Sequence, residues 1–132
     1  MFYMAVTATL SLYASGKTTG IVADCGEGIT HTVPIYEGFA LPHSILRLPI
    51  AGAQLTEYLA QILRERGYNN IDAAQATKIK HKFCKVAYDF DTSYKKSTEP
   101  GYKEKDFELP DGQIIKIGNE KFRCPEILIT PS

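Results

Sequence analysis

Residues 21–33 read IVADCGEGITHTV. An apolar run halts at Asp24, two glycines flank Glu27, and a second run carries His31. Thr18, Thr19, Ile21 and Val22 are β-branched or apolar, so residues 18–23 predict a strand. Gly26-Glu27-Gly28 then reverses the chain into a second strand over 29–35. Period-two alternation places Ile29, His31, Val33 and Ile35 on one face of it. Val33-Pro34 marks this strand as an edge, or ends it early.

The loop has two readings. Glycine lets backbone approach a ligand closely and present N–H groups to phosphate oxygens. An aspartate at the strand end suits a hydrated Mg²⁺ bound to the same phosphates. The plainer reading is a tight turn with Asp24 bonded to its own backbone, and spacing alone favours it, because Gly-X-Gly hairpins are common. His31, by its position, reads first as a core histidine and second as a group that orients water.

Outward from the hairpin, Met1–Ala14 has no glycine, proline or charge, and Gly16 sits where a helix ends. A mostly buried helix is expected there. The same stretch lacks the basic start of a signal peptide, since Lys17 is the first basic residue, and it is too short and polar to span a membrane. Residues 37–50 read as loop, with Gly38, Pro42 and Pro49. After Gly52, Leu55, Leu59, Ile62 and Leu63 recur at helical spacing and Gly67 closes the helix. Asp72 is placed to cap a third helix whose stripe is Ala76, Ile79, Phe83, Val86, Ala87 and Phe90. Residues 91–106 read as a mobile polar loop. A β-meander follows: 107–109, a turn at Pro110-Asp111-Gly112, 114–117, a turn at Gly118-Asn119, and a strand at 121–123.

The 132 residues suit one domain or slightly less and could bury roughly two-thirds of the unfolded surface. Lys plus Arg balances Asp plus Glu at 15 each, so no overall field draws nucleic acid or an acidic membrane. Cys25, Cys84 and Cys124 form no CxxC pair, which argues against a disulfide framework or a zinc site and suits a reducing cytosol. Lys78-Ile79-Lys80-His81-Lys82 reads as a solvated face, or as a contact to a nucleotide's base or ribose. No Walker sequence and no Ser-centred elbow is present. Spacing alone establishes no reaction.

Three stretches carry a family resemblance: LSLYASGKTTGIVADCGEGITHTVPIYEGFALPHSILRL (10–48), AGAQLTEYLAQILRERGY (51–68) and ELPDGQIIKIGNEKFRCPEILITPS (108–132). They closely resemble the middle third of actin. The resemblance implies an α/β, partial actin-like ATPase fold of the Hsp70, hexokinase and ribonuclease-H-like kind. It implies a β-hairpin phosphate loop, an incomplete sheet and a small helical/β subdomain. Residues 1–50 then correspond to the start of subdomain 3, with its linker helix and hairpin, and 51–132 to subdomain 4.

Actin clamps ATP or ADP with Mg²⁺ (or Ca²⁺) between two halves and assembles filaments in the cytoplasmic cytoskeleton. By resemblance Asp24, Gly26, Glu27, Gly28 and Ile29 fall on the phosphate loop, with Asp24 facing the metal through water. His31 falls beside the attacking water. Gly52, Lys80 and His81 line the ribose and adenine. Thr7 stands where actins carry the glutamine that positions the water, and its hydroxyl is shorter. Cys25 replaces a serine, Glu27 an aspartate and His81 a glutamate, and the approach to residue 76 runs a few residues short.

The resemblance sets the partner hairpin before residue 1 and the adenine loop after Ser132. The chain alone is therefore expected to bind ATP weakly and hydrolyse none measurably. The implied partners are actin or actin-like protomers and actin-binding proteins, with no nucleic acid and no membrane. The alternatives are an interaction module that binds or caps actin without catalysis, and a partial gene product without function.

Overall fold

A computed structural model describes Phe2 and residues 4–130; Met1, Tyr3, Pro131 and Ser132 lie outside the described residues. The chain divides into two compact units, Met1–Gly52 and Ala53–Ser132. The first holds α1 (Thr7–Ala14), β1 (Gly20–Cys25), β2 (Thr30–Tyr36), β3 (Phe39–Ala40), a 3₁₀ turn over Pro42–Ser44, and β4 (Leu46–Leu48).

The helix starts at Thr7, and the expected beginning at Met1 and Tyr3 falls outside the described residues. Val6 precedes it with no side-chain cap. Gly16 ends it at φ +79°. There the Gly16 N–H donates to the Tyr13 carbonyl and the Lys17 N–H to Leu12, a Schellman closure. The expectation of a mostly buried helix is corrected. Ala8 and Leu12 are buried, whereas Val6, Leu10 and Tyr13 are exposed. Those two positions are four residues apart, one stripe, and one sheet face is all the stripe packs on.

β1 and β2 pair antiparallel from Gly20↔Ile35 to Cys25↔Thr30. β3 and β4 both pair with the other edge of β2. The strand with Pro34 is therefore central, not an edge, and it runs on to Tyr36. Its tolerance has a local reason. The Pro34 carbonyl accepts from the Leu41 N–H on the β3 side. In an antiparallel strand N–H and C=O of one residue face the same neighbour. The missing proline donor thus falls in the gap between β3 and β4, where pairing stops anyway. Glu37 and Gly38 both have positive φ (46° and 84°), the signature of a two-residue type I′ turn joining β2 to β3. What reads in sequence as loop over 37–50 contains two short strands.

The second unit has α2 (Gly52–Glu65, entered from the first unit's last residue), α3 (Ala73–Phe83), α4 (Phe90–Ser97), β5 (Lys105–Glu108), β6 (Ile114–Ile117) and α5 (Glu120–Glu126). Leu55, Leu59, Ile62 and Leu63 of α2 meet Ala76 and Ile79 of α3, Ile115 and Ile117 of β6, and Cys124 of α5. Gly67 (φ +107°) closes α2, with Tyr68 N–H donating to Leu63. Asp72 and Gln75 form a reciprocal capping box on α3.

Three expectations are corrected here. The third helix ends at Phe83 rather than continuing toward Phe90, because Lys85 N–H leaves the helical path to bond the Lys121 carbonyl. Val86 is thereby exposed. The polar stretch after it is not all loop: Asp89 caps α4 through Thr92 N–H and hydroxyl. Those bonds hold the Asp89 carboxyl below its ordinary value. The final strand at 121–123 is helix α5, whose entry is fixed by Gly118 N–H on the Glu120 carboxylate.

Three substitutions check these roles by urea denaturation followed by circular dichroism. Leu59→Ala, at a fully buried site, is expected to cost about 3 kcal/mol. Asp72→Ala is expected to cost about 1 kcal/mol. Arg66→Ala leaves the buried Glu120 carboxylate without its guanidinium and is expected to cost about 3 kcal/mol. Equal losses from Leu59→Ala and Asp72→Ala would contradict this account of the core and cap.

Candidate functional site

Register decides what the β1–β2 hairpin presents. Because strand residues alternate, Gly20, Val22 and Asp24 share a face with their partners Ile35, Val33 and His31. At one end of this face Val33 and Ile35 are buried against Ala8 and Leu12. At the other end the face turns polar: His31 Nε2 lies 4.0 Å from Asp24 Oδ2, with both side chains partly open to solvent. Protonation of the imidazole makes them an ion pair. Ile29, expected on this face, precedes the strand and is exposed in the turn.

On the opposite face Cys25 stands across from Thr30, whose hydroxyl donates to the Ile50 carbonyl and lies 3.0 Å from Cys25 Sγ, placed to accept from the thiol S–H. Thr30 was not singled out in the sequence. The register itself is the signal, since a β-branched hydroxyl directly opposite a thiol is within reach of it.

Four residues, Gly26 to Ile29, close the hairpin. Gly26 N–H reaches the Ile29 carbonyl at 3.4 Å, and the Gly26 carbonyl accepts from Gly52 N–H at 3.0 Å. Gly26 and Gly28 are exposed and lie outside the left-handed region. A Cβ added to either meets nothing. The fold of this unit therefore does not itself require glycine there. Among the described residues the N–H groups of Glu27, Gly28 and Ile29 have no protein acceptor. Gly52 is different: a Cβ there runs into the Glu27 carboxylate.

Asp24, Gly26, Glu27, Gly28, Ile29, His31 and Gly52 are thus gathered at one end of one unit. Thr7 sits exposed at the start of α1, its carbonyl accepting from the Ser11 hydroxyl, and no hydrogen bond among the described residues joins it to the loop. Lys80 and His81 belong to α3 of the second unit. Lys80 is half-buried with Nζ on the Thr56 hydroxyl (2.7 Å), and His81 is exposed. Close to Lys80 are two thiols. Cys84 is pushed far up by its hydrogen bond to Cys124 and by burial. Cys124 is fully buried and donates to the Leu55 carbonyl. Among the described residues no three His, Cys, Asp or Glu side chains form a metal cluster.

The second unit also has a cleft of about 360 Å³ around Arg66, Glu104 and Glu120, which sequence reasoning missed. Arg66 bonds the Lys116 carbonyl and both carboxylates. Burial works against its charge, but Glu104 and Glu120 outweigh that and raise its pKa. The three residues are far apart in sequence, so no local spacing announces them.

A family model described as Actin matches residues 1–76 and, overlapping these, residues 68–132. The overlap falls where the chain passes from the end of α2 into α3. Among the described residues no helix is long and apolar enough to cross a membrane.

Two outcomes test the site's geometry. Gly52→Ala displaces Glu27, so Glu27→Ala in the same chain should relieve it. A double-mutant cycle should show coupling of about 1 kcal/mol, and simple additivity would contradict the contact. Maleimide labelling of the folded chain should modify exposed Cys25 first and reach Cys124 only on unfolding.

Proposed function

The chain belongs to the actin family, and we propose that its β1–β2 hairpin is a phosphate-gripping loop for ATP or ADP with a divalent cation. One observation carries the reading: an exposed loop whose glycines the fold does not use, with three successive backbone N–H groups lacking acceptors among the described residues. Such donors suit phosphate oxygens. Asp24, partly exposed at the strand end, suits a hydrated Mg²⁺ or Ca²⁺. The cation supplies neutralisation of phosphate charge when bound.

The chain's own groups then have distinct parts. Thr30 anchors the loop to the Ile50 carbonyl and Gly52 anchors it at Gly26. His31, oriented by Asp24, orients a water. Thr7, with its short hydroxyl, positions that water poorly, which makes hydrolysis slow or lost. Cys25 is a weak donor where a hydroxyl would be stronger. Gly52, Lys80 and His81 are assigned to ribose and adenine. The first unit is read as the start of subdomain 3 and the second as subdomain 4, in a cytoskeletal, filament-forming setting.

A second reading, a module that binds or caps actin-family protomers, is supported by the sheet's outer face. Ile21, Tyr36, Phe39 and Leu46 share that face by register and are 74, 59, 77 and 71% exposed. Four large apolar side chains exposed on one sheet face suit contact with further protein. Co-sedimentation with filaments tests it, and Leu46→Asp should abolish recovery in the pellet.

The phosphate-loop reading is tested by calorimetry. The 132-residue chain should bind Mg-ATP with Kd near 1 mM, about −4 kcal/mol, and lose most of that on Asp24→Asn. No detectable binding, or affinity indifferent to Asp24→Asn, would contradict it, whereas micromolar affinity lost in Asp24→Asn would keep the loop and overturn only the expectation of weak binding.

A further inference from the structure

Two clefts of the second unit differ in their charges. The cleft around Arg66 mixes signs, with Glu65, Glu104 and Glu120 beside Arg66 and Arg123. A separate groove of about 430 Å³ contains four lysines and no carboxylate. Lys82 comes from the end of α3, Lys85 from the extended segment beyond it, Lys105 from β5 and Lys121 from α5. The hydrogen bond from Lys85 N–H to the Lys121 carbonyl (2.8 Å) holds two walls together. Phe83, Val86 and Phe122 supply the apolar lining, and Val86 is 56% exposed.

None of the four lysines has an ion-pair partner among the described residues. Strand alternation turns Asp106, the neighbour of Lys105, to the opposite face of β5. Two ammonium groups rest on rings instead: Lys82 Nζ is 5.3 Å from the Phe83 ring and 5.9 Å from Phe107, and Lys121 Nζ is 5.0 Å from Tyr102. In a chain with no net charge this is a local positive field around an uncovered apolar side chain.

We infer that this groove docks an acidic peptide segment of a partner protein, with an apolar side chain seated beside Val86 and carboxylates meeting Lys82, Lys85, Lys105 and Lys121. The charge complement requires an anionic partner. Nucleic acid fits poorly, because the groove's own lysines occupy ring faces on which bases would stack. A lipid surface fits poorly too, since a single exposed valine gives little apolar area to bury. Peptide carboxylates beside one or two apolar anchors match both features.

The test is fluorescence anisotropy on the full chain with a fluorescein-labelled helical peptide of glutamates flanking a leucine stripe. Saturable binding that weakens steeply with salt is expected. The glutamine counterpart of the peptide, and the Lys85→Glu/Lys121→Glu variant, should each bind about tenfold more weakly. Val86→Ser should also weaken binding, whereas Lys103→Glu, outside the groove, should not. Circular dichroism confirms folding of each variant. If the double reversal unfolds, Lys85→Gln carries the same comparison at an exposed position. Equal binding of the glutamine peptide, equal loss in Lys103→Glu, or tighter binding of phosphatidylserine vesicles or oligothymidine would overturn the inference.

Discussion

The pairing that sets Asp24 opposite His31 is the constraint on which the first unit depends. A slip of one residue would send Val33 and Ile35 to the outer face and move Asp24 away from His31. The apolar end of that face fixes the register, because only one alignment buries Val22, Val33 and Ile35 under Ala8 and Leu12. The polar end has its geometry set by a core several residues away. Packing at one end of a hairpin thus positions chemistry at the other.

The second unit rests on a different arrangement. Its helices and two-stranded sheet bury one continuous apolar cluster, and the charged side chains are sorted outside it. Arg66 draws two glutamates together, one of them nearly fully buried. The lysines, left without carboxylates, collect where α3, β5 and α5 meet. A mixed-charge cleft and a purely basic groove thus coexist in a chain whose total charge is zero.

Much of this was legible in the sequence wherever one residue type has one structural use. Gly16 and Gly67 announce helix ends because only glycine enters the left-handed region cheaply, and both do so. Asp72 announces a cap because its carboxylate fits the orphan N–H of Gln75. The hairpin was legible from alternation and its glycines. The failures have equally local causes. α4 is a short polar helix whose apolar signal is confined to Phe90 and Tyr94, so Asp89 went unread. α5 contains Pro125 and follows a turn, a pattern that mimics a strand after a hairpin. The end of α3 and the central place of β2 depend on tertiary hydrogen bonds, Lys85 to Lys121 and Leu41 to Pro34, that no local spacing encodes. Of the candidate site, the loop was legible from residue types, whereas its anchors, Thr30 on the Ile50 carbonyl and Gly52 N–H on the Gly26 carbonyl, join residues too far apart in sequence for local spacing to show.

The central claim is that the backbone donors between Gly26 and Ile29 receive phosphate. The most direct measurement is a ¹H–¹⁵N NMR titration of the chain with Mg²⁺ and inorganic triphosphate. The account predicts shifts in the amides of Glu27, Gly28 and Ile29 that are lost in Asp24→Asn, whatever shifts the lysine groove also shows as a general anion-attracting surface. Unmoved loop amides, with shifts confined to Lys82, Lys85 and Lys121, would contradict it.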